Sequence, residues 1–179
     1  MSLQEIFADD SVSIRMENAG SIEERAAVWA INKAAFARAD EADLVDRLRG
    51  DGHAILSLVA ELNSGIIGHI LFSRMSIDTA SGLVPAAALA PMAVSPTHQR
   101  KGIGGLLVSH GLETLREQGE KIVIVLGHPD YYPKFGFSTD KAAGLESPFP
   151  REAFMAIELS CGALDGIRGA VVYPSPFGI

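Results

Sequence analysis

The amino-acid pattern predicts an α/β fold: a mixed, mostly antiparallel central sheet of six or seven strands with helices on both faces. Three observations carry this. Residues 54–62 and 66–77 are extended apolar runs joined by Asn63-Ser64-Gly65, the composition of a hairpin turn. Residues 121–126 hold a continuous Ile-Val-Ile-Val-Leu run, typical of a strand covered on both faces. Between such runs lie amphipathic stretches with helix start and stop signals.

In chain order, residues 1–10 read as a loosely ordered leader, and 11–16 alternate as a half-buried strand. Ser21 with Glu24 three positions on forms a capping box, opening a helix that runs to about Arg38. Residues 41–49 form a second short helix, stopped by Gly50 and Gly52. The hairpin follows, then a turn at Ser81-Gly82 and a strand from Pro85 to Val94. A turn at Ser95-Pro96 leads into Gln99-Arg100-Lys101-Gly102-Ile103-Gly104-Gly105 and then a helix ending at Gly119, with Val108, Leu112 and Leu115 facing the core. After the strand at 121–126, residues 128–135 suggest a short helix and Phe137 onward extended chain. Two late strands, at 154–159 and 171–173, flank a turn containing Gly162, Gly166 and Gly169.

The chain has 179 residues, 47% of them hydrophobic and 21% charged, which suits one compact domain over 1–179. A net charge of −7 argues against nucleic acid as a partner, because phosphate-backbone binding needs a basic face. No apolar run reaches transmembrane length, and the acidic N-terminus lacks the basic and apolar regions of a signal peptide. The single cysteine, Cys161, rules out an internal disulfide, and the expected compartment is the reducing cytoplasm. Cys161 has no base partner at a readable spacing and reads as a structural thiol. The five histidines are scattered without ligand spacing, so no metal is expected.

The loop Gln99–Gly105 carries the chemistry. It is glycine-rich, holds two cations and lies where a strand ends and a helix begins. The first N–H groups of that helix lack intrahelical acceptors, and the positive end of its dipole points the same way. Glycines let a backbone approach closely, so the loop suits a phosphate or pyrophosphate. The P-loop pattern is absent, and Leu107 stands where the third glycine of a dinucleotide-binding fingerprint belongs.

What is present is Gln99-x-x-Gly102-x-Gly104, and it resembles the [QR]-x-x-G-x-[GA] pyrophosphate loop of the GNAT superfamily of N-acetyltransferases. A second block, His128-Pro129-Asp130-Tyr131-Tyr132-Pro133-Lys134-Phe135-Gly136-Phe137, resembles the F-Y-x-K-x-G-F signature of the same superfamily. The likeness covers residues 11–140, and LGHPDYYPKFGF looks most like a branch of predicted acetyltransferases labelled YhbS-like. It implies a sheet splayed between the 85–94 and 121–126 strands to admit acetyl-CoA. Met92, Ala93 and Val94 would then line the pantetheine arm. Gln99, Arg100, Lys101, Gly102, Ile103, Gly104 and Gly105 would hold the pyrophosphate, mostly through backbone N–H groups. The two early helices would border the acceptor.

Acetyl transfer to an amine needs a polarised thioester carbonyl, a deprotonated amine and a proton for the departing thiolate. The family's backbone donor falls on Met92, beside Pro91, which cannot donate to a ladder and suits a bulge or an interruption. The general acid falls on Tyr132, since a phenol stays protonated at neutral pH and can donate to a thiolate. Tyr131 replaces the signature's phenylalanine and is a second phenol for that role. The carboxylate that some relatives carry four residues before Met92 is Ala88 here. The base is therefore open between His128, His69, Glu61 and ordered water. The implied activity is acetyl-CoA-dependent N-acetylation of a small-molecule or protein amine. The alternative is a non-catalytic acyl-CoA sensor or scaffold. The amine acceptor is not named by any motif, and the resemblance allows a homodimer.

Overall fold

The computed structural model describes residues 11–179, and the leader expected over residues 1–10 lies outside them. The elements run β1 (Ser13–Met16), α1 (Ile22–Phe36), α2 (Asp40–Gly50), β2 (Ala54–Leu62), β3 (Gly65–Thr79), β4 (Gly82–Val94), α3 (Ile103–Glu117), β5 (Ile122–Leu126), β6 (Leu145–Glu146), β7 (Phe154–Glu158) and β8 (Gly169–Val172). They build an eight-stranded sheet in the order β1-β2-β3-β4-β5-β7. β8 pairs with β3 at Ser76–Thr79, beyond the end of β2, and β6 pairs with β8. All pairs are antiparallel except β4–β5 and β6–β8.

The sheet thus has one strand more than six or seven. The extra strand is β6, two residues long, too short to show any periodicity. The extended chain expected from Phe137 reduces to a single bridge, Ser138 to Ala156, followed by turns. The short helix expected over 128–135 is a 3₁₀ turn at Tyr132–Phe135, because Pro133 has no N–H to extend it backwards.

Local chemistry explains the helices. Ser21 caps α1 by accepting from the Glu24 N–H at 3.2 Å. The Glu24 carboxylate reaches the Asn18 N–H and Arg15 rather than closing back on Ser21. α1 ends where Ala37 turns left-handed at φ 57°. In α3 the stripe Leu107, Val108, Leu112 and Leu115 is buried.

Two faces follow. α3 covers one, packing Ile103, Leu107 and Leu112 on Ile70, Phe72, Leu89, Val123 and Val125. The opposite face is shared. α1 and α2 pack Val28, Val45 and Leu48 on Val59 and Leu71. The C-terminal segment brings Leu145, Phe154 and Leu164 against Met75, Ile77, Ala88 and Ile124.

Candidate active site

Strands β4 and β5 pair over only three residues, Ala87–Leu89 against Val123–Val125. β4 then continues to Val94 with β3 on one side and, among the described residues, no strand on the other. A bulge marks the change. Between the pairs Ile70–Met92 and Phe72–Leu89, Leu71 on β3 faces two residues of β4, Ala90 and Pro91. The Ala90–Pro91 peptide is cis.

The bulge fixes which backbone groups face the gap. The Ser95 N–H donates to the Ile67 carbonyl of β3 at 2.8 Å. In an antiparallel ladder, bonded and non-bonded pairs alternate. Ala93 therefore turns its N–H and C=O to His69 on β3, while Met92 and Val94 turn theirs away, into the gap. The Val94 carbonyl accepts from the Gln99 side-chain amide at 3.0 Å, which folds the 95–102 loop back over the strand end.

That loop delivers α3. Arg100 and Gly102 both have positive φ, 60° and 84°, and Gly102 is the N-cap without a side-chain cap bond. The Leu106 N–H is the first to find its helical acceptor, the Gly102 carbonyl. The N–H groups of Ile103, Gly104 and Gly105 therefore point out of the helix end toward the gap. A Cβ on Gly104 would stand 2.7 Å from the Tyr131 hydroxyl and 3.3 Å from the Met92 sulfur. Tyr131 and Met92 thus close over the first turn of α3.

Tyr132 forms the other wall. It is 8% exposed and packs edge-on to Tyr131 and Phe137, at ring distances of 5.1 and 5.7 Å. Gly127, at the end of β5, makes room for it: a Cβ there would stand 2.1 Å from the Tyr132 ring. Burial, with a contribution from Tyr131, pushes the Tyr132 phenol up to about 12. Burial also raises Tyr131.

Together these residues line a cleft of about 1270 Å³. Met92, Ala93, Val94, Gln99, Arg100, Gly102, Ile103, Gly104, Gly105 and Tyr132 all border it, as do Ala88 and the exposed His128. Lys101 is exposed and does not. The cleft enters on the α3 face and passes between β4 and β5. It opens on the opposite face between Phe36 and Leu44 on one side and Phe149, Tyr173 and Phe177 on the other.

Two base candidates lie elsewhere. Glu61 is held by Arg15 on the β1–β2 edge. His69 is fully buried under α1 and α2, where it contacts Ser57 Oγ at 2.9 Å and the Asn32 amide at 3.1 Å. Burial, then the nearby Arg49 charge, lowers His69 to about 3 despite the Glu17 carboxylate 3.9 Å away, which Arg49 and Ser57 already engage, so it stays neutral; it does not line the cleft. Gly127 and the aromatic wall were not singled out in the sequence. The wall comes from separate loops with no motif spacing, whereas Gly127 directly precedes the His128–Phe137 block and could have been read with it.

The GNAT acetyltransferase domain model matches residues 19–139. The uncharacterized N-acetyltransferase YjhQ of Escherichia coli is 42% identical over 123 residues, 66% of this chain and 68% of that protein. A crystal structure of the E. coli GNAT family N-acetyltransferase YhbS in complex with CoA superposes with a TM-score of 0.84 at 32% identity, covering 94% of this chain and 92% of that one. A GNAT family acetyltransferase from Brucella melitensis in complex with acetyl-CoA gives 0.77 at 30% identity, covering 94% and 99%.

Proposed function

This chain belongs to the GNAT family of acetyltransferases, and we propose that it transfers an acetyl group from acetyl-CoA directly to a primary amine. The observation that carries this is the early end of the β4–β5 ladder, which leaves the Met92 and Val94 backbone groups facing a gap walled by Tyr132. The solved relatives that hold CoA and acetyl-CoA support the choice of acyl donor.

The cleft fits that donor. The N–H groups of Gly102 to Gly105, with the Arg100 guanidinium at the rim, suit its diphosphate. Met92 and Val94 offer an open strand edge to the amides of a pantetheine arm, and the Val94 carbonyl keeps a lone pair beside its bond from Gln99. Acetyl-CoA supplies the activated thioester. The Met92 N–H polarises the reacting carbonyl, a contribution of about 3–4 kcal/mol for a preorganised donor. Tyr132 holds its proton at every physiological pH and delivers it to the sulfur. The same buried wall raises the basicity of a thiolate beside it, so donor and acceptor stay matched. The balance is one C–N bond formed, one C–S bond broken, one proton leaving nitrogen and one arriving on sulfur. With Ala88 in place of a carboxylate, the amine proton leaves through solvent at the rim, where His128 stands.

Mass spectrometry of a mixture of primary amines incubated with the protein and acetyl-CoA tests this. An acetylated amine that forms only with the protein present is the expected result. CoA binding without any acetylated amine would instead make the chain an acyl-CoA sensor or scaffold.

A further inference from the structure

We propose that the acceptor is a small primary monoamine carried on an aromatic or branched apolar body, seated on the aromatic wall at the far end of the cleft. This deepens the acetyl-transfer reading and rests on it for the identity of the site. The wall is a chain of rings: Phe149 meets Tyr173 edge-on at 5.9 Å, and Tyr173 meets Phe177 at 5.0 Å. Phe36, 38% exposed, and Leu44 face it across the opening. All three rings of the wall pack against the core under β3, β4 and β5, so it is built rather than adventitious. The Arg47 guanidinium donates to the Pro176 carbonyl at 3.4 Å, tying α2 to the segment that carries Phe177.

Charge narrows the class further. Among the described residues, Glu41 is the one carboxylate lining the cleft. Its charge is offset by Arg38, which donates to both oxygens, through Nε at 3.1 Å and through Nη2. A polyamine or an aminoglycoside brings several ammonium groups, and each would enter an apolar wall without a counter-charge. A monoamine brings one, which must shed its proton to attack. Its apolar body gains from leaving water, and an aromatic one also stacks edge-on with Phe149 and Tyr173.

Calorimetry on the protein saturated with CoA tests the proposal without needing turnover. The probes are 2-phenylethylamine, 3-methylbutylamine and spermidine. At least tenfold tighter binding of 2-phenylethylamine than of spermidine is expected, with 3-methylbutylamine between them. Tyr173→Ala should weaken 2-phenylethylamine at least tenfold and leave CoA affinity unchanged. Phe36→Ala, at a position 38% exposed and outside the buried core clusters, should weaken it in the same direction. Spermidine binding as tightly as 2-phenylethylamine overturns the proposal, as does binding of neither. Wild-type affinity in both variants overturns it as well. An amine that binds on the wall without being acetylated would count against acetyl transfer and leave the wall's preference standing.

Discussion

Tyr132 depends on a neighbour without a side chain. Gly127 lies under its ring, and Gly127→Ala would put a methyl group 2.1 Å from that ring. The ring must move, so a fall in kcat is expected together with a stability loss of about 1–3 kcal/mol for an overpacked site, read as a lower melting temperature. Unchanged kcat and melting in that variant would mean that Tyr132 is not held where we place it. His69 sets a different residue-scale expectation. Its folded value, about 3, lies below the ordinary 6.5, so the unfolded chain binds the extra proton first. Stability therefore falls as pH drops below 6.5, by up to about 1.4 kcal/mol per pH unit. Glu24 and Glu158, held low by Arg15 and Lys141, add their losses only below 4.5. Melting followed from pH 6.5 to 4.5 should show this slope, and His69→Gln should flatten it; an equal slope in both would remove His69 as its cause. The residues of the two glycine-containing blocks were legible because their types and spacing are local. The seclusion of His69 was not, since α1, α2 and β2 have to pack before it is buried.

The bulged end of β4 and the N-terminus of α3 form one element-scale device. Leu71 facing both Ala90 and Pro91 turns the next backbone groups, and Gln99 pins the loop that aims α3 at them. Gly104→Ala tests it cleanly. The new methyl group meets mainly the Tyr131 hydroxyl, the movable end of a side chain, so folding should be spared. Alanine is in any case the better helix former by about 0.5–1 kcal/mol. The methyl group intrudes where a diphosphate would lie. Unchanged or higher melting of the free protein, with a weakened CoA affinity, is the expected pair of results in a thermal and a calorimetric titration. Undiminished CoA affinity would move the diphosphate away from this turn. Pro91 made the bulge legible in the sequence. The β4–β5 separation itself entered only through the family likeness, because where a parallel ladder stops is decided by strands far apart in the chain.

At the scale of the whole molecule, the cleft is a passage through the sheet, with a polar backbone end on the α3 face and an aromatic end on the other. CoA should therefore bind the folded chain as a unit and stabilise all of it. At 100 times its dissociation constant, a ligand adds about 2.7 kcal/mol, several degrees of melting temperature for a chain of this size. ATP and NAD should give no comparable shift; equal shifts with all three would make the site a general nucleotide cleft. The mixed, mostly antiparallel α/β architecture was legible from the hairpin, the Ile-Val-Ile-Val-Leu run and the helix signals. The aromatic end was not, because Phe36, Phe149, Tyr173 and Phe177 are scattered along the sequence and converge only through the folded C-terminal segment.

The most direct test of the central claim is the rate of free thiol release from acetyl-CoA with a primary amine present, compared between the wild-type chain and Tyr132→Phe. Amine-dependent release that falls about 10²-fold or more in the variant, with CoA affinity unchanged, is the expected result for a lost general acid. Amine-dependent release at the wild-type rate in Tyr132→Phe would contradict the role given to that phenol, and release that no amine accelerates would contradict acetyl transfer itself.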